Sequence, residues 1–558
     1  MRRNVKRVSN ATIIGSARQI ERKLYSPSIS LILMLASIGG VVYTAILLQP
    51  SYRGNWLPYL MVILSEFFIV SHGLVSFWTI LSGRRNPRDY GFFTAKDNLF
   101  SVPANSSQKA KTTPTKNSSM FLSRRAQSVD VFIPVFGEPT REVEQTASAA
   151  RDMNGKHRTF ILDDGQSDEI KKLALNLGIG YIRRRENINA KAGNINHALA
   201  VTKSDLFVIL DADFVPSPKL LEETIPFFHD KLIAFVQTPQ FYSNQTNFVS
   251  IAAGHMQHVF YSLVQPGKNR SNAAFCVGTN VVFRRSAIDS IGGIYDKSKS
   301  EDIWTSLKLH EKGYRSIYLN SVLAIGKAPE SLKAYSKQQL RWATGSFEIF
   351  LKQNPLFNKK LSIDQRIQYF GTTSFYFNGF AIAVLLSLPA LQIFFNLTPI
   401  ALNIPLWQWI VLYSGFYVLQ IILSMYTMGG FKLQTLMLSM ASFPIYIKAF
   451  FKALLNKDED WKATNSIDSY DSPFNYIRVQ TYIFVFLSIT TVVGIWKSGY
   501  TSELSISIAW CLLNTIVFGS FVIVGLLEST NRKKLAGQHL PHEDNYSLQQ
   551  LNQLARDS

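Results

Sequence analysis

Two aspartates one residue apart follow an apolar run that is typical of a buried strand. Asp211 and Asp213 come directly after LFVIL, which begins at Leu206. Two carboxylates at a strand end can share a hard divalent cation with phosphate oxygens. Surface acids after a strand produce the same pattern, so the pair predicts a metal site only if other acids accompany it.

Further acids stand at comparable positions along the chain. Asp130 opens the apolar run VDVFIPVF, and Asp163 and Asp164 close TFILDD. Glu301 and Asp302 precede the helical run IWTSLKLHEKG. Acids at strand edges, where an α/β sheet binds its ligands, are candidates for one common site.

A different set of side chains lies in SLKAYSKQQLRWATGSF. Arg341 and Trp342 follow Gln338 by three and four residues, so a helix would place all three on one face. That face offers an amide, a guanidinium fork suited to phosphate and a flat aromatic surface. Taken alone, Trp342 is also explained as a core residue or as an anchor at a membrane interface.

The elements that must position these residues fall into two classes. Between residues 129 and 357, short apolar runs alternate with helical patterns, which predicts an α/β domain with ligands at the strand ends. Long apolar runs lie on both sides of it. The chain has 558 residues, 47% of them hydrophobic and 17% charged, which fits a soluble domain flanked by membrane spans.

The net charge of +20 suits either nucleic acid or an anionic membrane surface. Because the sequence has no zinc-finger, basic-zipper or RNA-binding signature, we expect a membrane and no nucleic-acid partner. The two cysteines, Cys276 and Cys511, exclude a disulfide framework.

The apolar runs and their basic flanks predict where the membrane spans and the segments between them begin and end. The positive-inside rule places both tails and the α/β domain in the cytoplasm. The expected segments are a tail at 1–28, two transmembrane helices at 29–81, a linker at 82–128, the α/β domain at 129–357, four transmembrane helices at 358–527 that include an interface helix and a polar loop at about 431–471, and a tail at 528–558.

The motifs, in this order, resemble the D, D, DxD, ED, QxxRW signature of inverting, processive glycosyltransferases, which include cellulose, chitin and hyaluronan synthases. The likeness is greatest to bacterial cellulose synthase catalytic subunits, on VQTPQFY, NAKAGNINHAL and RWATGS. It implies an α/β nucleotide-sugar transferase domain of the GT-A type, inserted in a multi-span α-helical membrane domain. The tail after Glu528 is too short for the cyclic di-GMP-binding domain of many such synthases, so we expect none there.

The resemblance implies roles for individual residues near the donor. Asp130 and Asp163 resemble the acids that hold the uridine, and Lys191 resembles a basic residue near the nucleotide. Asp211 and Asp213 resemble the pair that binds the diphosphate and the metal, Mg²⁺ or Mn²⁺.

It also implies the residues of the transfer step. Asp302 resembles the general base, and Gln338, Arg341 and Trp342 resemble the platform for the diphosphate and the acceptor. Thr464 resembles a substrate-contacting residue of a cytoplasmic gating segment, although a polar juxtamembrane loop explains it as well. Inversion is a single displacement at the anomeric carbon, so one base must deprotonate the acceptor hydroxyl while cations stabilise the leaving diphosphate.

The expected function is processive polymerisation of a UDP-sugar, with UDP-glucose favoured and a β-glucan such as cellulose as the product, and export of the chain. The expected partners are the UDP-sugar donor, the growing polysaccharide acceptor, the lipid bilayer and an accessory export subunit. We expect a multi-pass protein of the inner or plasma membrane with a cytoplasmic catalytic domain. A chitin-like or hyaluronan-like synthase, a non-processive lipid-linked sugar transferase and a transporter without catalysis are the alternatives, and the intact set of acids argues against the transporter.

Overall fold

The computed structural model describes residues 27–83, 86–100, 127–298, 300–401, 406–428, 430–456, 472–499 and 506–537. Thr464, most of the linker and most of both tails lie outside these ranges. Chain contacts separate two compact units. The membrane unit comprises 1–84, 242–268 and 327–558, and the sheet unit comprises 85–241 and 269–326. Residues 129–357, expected to form one domain, are divided between them.

The described helices and strands alternate as the sequence predicts in the middle of the chain. The helices are α1 Pro27–Leu47, α2 Trp56–Ser82, α3 Tyr90–Phe100, α4 Thr140–Arg151, α5 Asp168–Leu177, α6 Ala190–Val201, α7 Leu220–Thr224, α8 Phe248–Val259, α9 Gln265–Arg270, α10 Arg285–Ser290, α11 Glu301–Glu311, α12 Leu332–Lys352, α13 Ile363–Ser374, α14 Asn378–Phe395, α15 Leu406–Met428, α16 Leu433–Ala441, α17 Phe443–Leu454, α18 Arg478–Ser498 and α19 Ile506–Gly537. The strands are β1 Val129–Val135, β2 Arg158–Asp163, β3 Gly180–Arg183, β4 Leu206–Ile209, β5 Val215–Pro216, β6 Ile233–Gln237, β7 Phe241–Tyr242, β8 Val281–Arg284, β9 Arg315–Tyr318 and β10 Ala324–Gly326.

A mixed seven-stranded sheet organises the sheet unit, in the order β3-β2-β1-β4-β8-β6-β9. Strands β3, β2, β1 and β4 are parallel, whereas β8 runs antiparallel to both of its neighbours. Because β1, β2 and β4 run in one direction, their carboxyl ends meet at a single edge of the sheet. This mixed sheet agrees with the expected α/β domain of GT-A type.

Apolar side chains cover both faces of this sheet. Along β1, Val131 and Ile133 contribute to one buried cluster while Phe132 contributes to the other. The first cluster includes Val143 of α4, and the second includes Ile195 of α6. Strands that are buried on both faces read as continuous apolar runs, which is why VDVFIPVF and LFVIL lack alternation. Each such side chain contributes about 1.5–3 kcal/mol on burial.

Six helices of the described residues are long and apolar enough to cross a membrane. They are Pro27–Leu47, Trp56–Ser82, Ile363–Phe395, Leu433–Leu454, Arg478–Ser498 and Ile506–Thr530. Leu406–Met428, which the sequence predicts as a span, forms a helix of 23 residues whose side chains are described only in part. Two apolar helices therefore precede the sheet unit's strands, and the others follow them.

The segment expected to contain an interface helix is broken near its middle. Helix α16 ends at Ala441 and α17 begins at Phe443, with Pro444 in its first turn. Proline has no N–H to continue a helix, and the Ser442 hydroxyl donates to the Leu438 carbonyl at 2.6 Å across the break. By length and composition the whole segment is also apolar enough to cross, so the interface position of α17 stays a prediction.

Polar side chains inside the second span have partners within the membrane unit. Glu66 is buried, and its carboxylate accepts a 2.5 Å hydrogen bond from Tyr417 of α15. His72 lies 2.9 Å from the Ser374 hydroxyl at the end of α13. Both side chains thus face neighbouring helices, which satisfies groups that lipid could not.

Candidate active site

The carboxylates that the sequence singles out converge at the carboxyl edge of the parallel strands. Asp163 is the last residue of β2, and Asp211 follows β4 by two residues. Strand β1 pairs with both β2 and β4, so the two acids lie on either side of the β1 terminus at one sheet edge. This is where an α/β sheet binds ligands.

Lys191 links two parts of this edge. It lies in the first turn of α6, and its ammonium group donates to a carboxylate oxygen of Asp211 and to the Gly278 carbonyl, the latter at 2.8 Å. Asp211 is also held through its backbone, because its N–H donates to the Thr279 hydroxyl at 2.8 Å. The positively charged ammonium group of Lys191 therefore lies beside Asp211, the first acid of the DxD pair.

The buried side-chain amide of Gln237 holds the loop that carries Gly278 through hydrogen bonds to its backbone. Gln237, at the end of β6, is fully buried, and its Nε2 donates to the carbonyls of Thr238 and Thr279 at 2.7 and 2.8 Å. Its Oε1 accepts from the Val277 N–H at 3.0 Å. Gln237 thus satisfies the backbone of the loop, which has no regular partners of its own.

Asp302 lies on the other side of this loop. A β-carbon built on Gly278 would stand 3.6 Å from Oδ2 of Asp302, 3.6 Å from Nζ of Lys191 and 3.9 Å from Oε1 of Glu301. Gly278 has φ +85°, a conformation that favours glycine. The lack of a side chain there leaves room between the Lys191–Asp211 pair and the Asp302 carboxylate, at the beginning of α11.

Several acids surround the DxD pair. Burial, followed by the charges of Asp211, Glu142 and Glu138, raises the pKa of Asp213 to about 7. Burial also raises the pKa of Glu138, whose carboxylate accepts from the Phe136 N–H at 2.5 Å. Carboxylates that disfavour one another's ionisation in this way fit a divalent cation, which would remove the repulsion.

The protein supplies only part of such a metal shell. Among the residues that the structure describes, no group of three or more histidine, cysteine or acidic side chains is arranged to hold an ion by itself. Hard divalent cations accept oxygen ligands from both carboxylates and phosphates. The Asp211–Asp213 pair therefore fits a metal that binds together with a diphosphate.

Asp164 has a partner that the sequence did not reveal. Its two oxygens accept from Nε and Nη2 of Arg184, both at 2.6 Å, and both side chains are nearly buried. Arg184 also donates to the carbonyls of Ile188 and Ala190, at 2.5 and 2.8 Å. This fork fixes the loop that leads into α6 and so positions Lys191.

Asp130 does not join the site, which corrects the expectation that it holds the uridine. It pairs with Arg158 at the beginning of β2, whereas Val135 pairs with Asp163 at the end. At about 3.3 Å per residue, Asp130 lies about 16 Å from that edge. Both of its oxygens accept from Arg158, at 2.8 and 3.0 Å. Its position at the start rather than the end of an apolar run was the signal against it.

Gln338, Arg341 and Trp342 lie on α12, a continuous helix of 21 residues in the membrane unit, and all three are half-buried. The predicted common helix and the three- and four-residue spacing are therefore present. A neighbouring set on α12, including Ala343 and Phe347, packs against Tyr446 of α17.

Residues 206–425 match the family described as glycosyl transferase family group 2. The UDP-forming cellulose synthase catalytic subunit of Pseudomonas fluorescens (strain SBW25) is 38% identical over 278 residues, 48% of this chain and 38% of that protein. The corresponding subunit of Xanthomonas axonopodis pv. citri (strain 306) is 37% identical over 261 residues, 45% of this chain and 36% of that protein. The matches thus span well under half the length of these relatives.

This chain is also similar to solved structures. A mannosyltransferase from Pyrobaculum calidifontis, in complex with GDP-Man and Mn²⁺, covers 72% of this chain and 100% of its own, with 16% identity and a TM-score of 0.46. Residues 206–425 are thus similar to family 2 glycosyltransferases, and about half of the chain is similar to cellulose synthase catalytic subunits.

Proposed function

We propose that this chain is an inverting, processive membrane glycosyltransferase that polymerises UDP-glucose into a β-glucan such as cellulose. The observation that carries the proposal is the convergence of Asp211, Lys191 and Asp302 around Gly278, at the sheet edge where Asp163 ends β2. The relatives with 34–38% identity are named UDP-forming cellulose synthases, which supports this donor and this product.

Each group in the site has a task in one displacement. Asp163 contacts the base of the donor, and Lys191 offsets negative charge on its diphosphate. Asp302 takes the proton of the acceptor hydroxyl, whose oxygen bonds to the anomeric carbon while the bond from that carbon to UDP breaks. Because the acceptor oxygen attacks from the side opposite the leaving group, the configuration inverts.

A divalent cation, Mg²⁺ or Mn²⁺, completes the proposed site. Asp211 and Asp213 would hold it together with diphosphate oxygens, and it would supply charge stabilisation for the leaving UDP. The raised pKa values of Asp213 and Glu138 support this assignment, because burial, and to a smaller extent the neighbouring Asp211 carboxylate, disfavours their charged forms until a cation offsets the charge.

The transfer residues of α12 extend the proposal to the acceptor. Arg341 offers a fork for the diphosphate, and Trp342 offers a flat face for a sugar ring. We place the catalytic domain on the cytoplasmic side of the inner or plasma membrane. The polymer would leave through the apolar helices, and an accessory export subunit would receive it. Thr464, outside the described residues, remains a proposed substrate contact.

Synthesis by purified protein in lipid vesicles tests this function. We expect labelled UDP-glucose with Mg²⁺ or Mn²⁺ to yield insoluble β-glucan, and UDP-N-acetylglucosamine to yield far less. Chelation should reduce incorporation to background, and restored metal should recover it. Label that accumulates in lipid extracts would favour the lipid-linked transferase, and N-acetylglucosamine polymer would favour a chitin-like synthase.

A further inference from the structure

A chain of hydrogen bonds runs from an arginine on the sheet edge to the base-binding acid. Strand β3 pairs with β2 in parallel, with Tyr181 opposite Ile161 and Arg183 opposite Asp163. The Tyr181 hydroxyl reaches diagonally to Oδ2 of Asp163, at 2.6 Å. Nε of Arg183 lies 2.6 Å from the same hydroxyl, and its guanidinium lies over the tyrosine ring.

The direction of these bonds is fixed by chemistry. A guanidinium can only donate, so the Tyr181 oxygen accepts from Arg183 and its single hydrogen goes to Asp163. Burial and then the Asp163 carboxylate raise the pKa of Tyr181 to about 12, so the hydroxyl keeps its proton across the working pH range. Tyr181 is therefore a permanent donor to the acid.

The second oxygen of the carboxylate has no such partner. Oδ2 of Asp163 also accepts from the Ser167 N–H, at 2.8 Å, whereas the buried Oδ1 has no hydrogen-bond partner in the structure. A β-carbon built on Gly165 would stand 3.3 Å from Oδ1, so the glycine leaves room beside it. A buried acceptor without a donor is costly, so Oδ1 is suited to accept a hydrogen bond from an N–H group of a ligand.

We propose that Tyr181 and Arg183 are positioning residues that set the nucleobase preference of this enzyme. They occupy Oδ2 of Asp163 and hold the carboxylate in one orientation, so that Oδ1 presents lone pairs to the base. This inference rests on the proposed use of a uridine donor and identifies what makes that site selective.

The selectivity follows from the edge that each base offers. Uracil presents an N–H at its ring nitrogen N3, which suits an acceptor. Cytosine presents a lone pair at the same atom, which an ionised carboxylate repels. Without the Tyr181 hydroxyl, Oδ2 loses its side-chain donor, so the carboxylate can turn and Oδ1 no longer faces N3 of the base in one fixed orientation. Loss of the hydroxyl should therefore weaken binding of uracil nucleotides and lower the ratio of UDP affinity to CDP affinity.

The test compares UDP and CDP affinity, measured calorimetrically with Mg²⁺ on the full chain in detergent. Tyr181→Phe removes only the hydroxyl, and Arg183→Met removes the guanidinium that donates to this hydroxyl. Tyr314→Phe is the matched control, because this tyrosine packs against the second core cluster. We expect roughly tenfold weaker UDP binding in Tyr181→Phe, a smaller loss in Arg183→Met, no loss in the control, and unchanged CDP affinity in all three variants.

Two results would overturn the inference. One is an unchanged ratio of UDP to CDP affinity in both variants, including a loss of both nucleotides in parallel, which is what a purely structural role would give. The other is a wild-type protein that does not distinguish UDP from CDP. Failure of the proposed function looks different, because selective UDP binding would persist while vesicles made no polymer.

Discussion

Adjacent carboxylates at the end of β2 have separate tasks. Asp163 accepts from Tyr181 and the Ser167 backbone through Oδ2 while its buried Oδ1 has no hydrogen-bond partner, whereas both oxygens of Asp164 accept from Arg184. Burying the Asp164–Arg184 pair is tolerable because its hydrogen bonds are bidentate. At the residue scale, the two neighbouring acids Asp163 and Asp164 thus differ in the groups that donate hydrogen bonds to them.

Asp130 and Asp163 provide a direct comparison, because both are fully buried acids of neighbouring strands. We expect Asp163→Asn to reduce UDP affinity at least about tenfold, since the amide can present a donor where a carboxylate cannot. Asp130→Asn should lower the melting temperature, because it weakens the ion pair with Arg158, and should leave UDP affinity within about twofold. Equal losses of UDP affinity in both variants would show that the position along the strand does not separate their roles.

Asp302 should be needed for turnover and dispensable for donor binding. Replacement by asparagine keeps its shape but removes the base, so we expect polymer synthesis to fall by about 10²–10⁴-fold. UDP affinity, measured on the same preparation, should change little. A variant that still synthesises polymer at the wild-type rate would exclude Asp302 as the base.

The sequence was informative about which acids stand at strand ends and silent about their partners. The positions of Asp163 and Asp211 were predictable because an apolar run directly precedes each, and Asp213 follows Asp211 by two residues. The uridine role given to Asp130 was wrong, because the order of motifs along the chain does not say which end of a strand a residue occupies. Arg184, Gln237 and Tyr181 were missed, because contacts between separate strands and loops leave no local pattern.

At the element scale, helix α12 begins with two oxygen caps. The Ser331 hydroxyl accepts from the Ala334 N–H at 3.1 Å, and Oε1 of Glu528, from α19, accepts from the Leu332 N–H at 3.0 Å. A carboxylate at a helix N-terminus also complements the helix dipole. The last apolar helix therefore helps to hold the beginning of the helix that bears Gln338, Arg341 and Trp342.

Removing either cap should loosen the first turn of α12. Because an N-terminal cap contributes about 0.5–2 kcal/mol, we expect amide hydrogen exchange at Leu332–Tyr335 to accelerate roughly threefold to thirtyfold in Glu528→Ala. Ser331→Ala is the matched variant at the same terminus and should behave alike. If only the Ser331 variant accelerates exchange, Glu528 does not cap the helix in solution.

At the scale of the whole molecule, the chain joins a mixed seven-stranded sheet to apolar helices that lie before and after it in the sequence. Among the described residues, six helices are long and apolar enough to cross, but they include Leu433–Leu454, expected to contain an interface helix, and not Leu406–Met428, expected to be a span. Their membership was harder to predict, because Leu433–Leu454 combines membrane-span hydropathy with a break at Ser442. Hydropathy alone does not separate a helix that crosses a membrane from one that lies in its interface.

The length of the first products tests the central claim, that the chain is a processive polymerase, most directly. Purified protein in vesicles receives limiting labelled UDP-glucose with metal, and the glucan is sized while little donor has been used. A processive enzyme keeps its polymer between additions, so we predict long chains from the earliest times. Short products that lengthen together as the donor is consumed would contradict the account and indicate a transferase that releases its acceptor after each sugar.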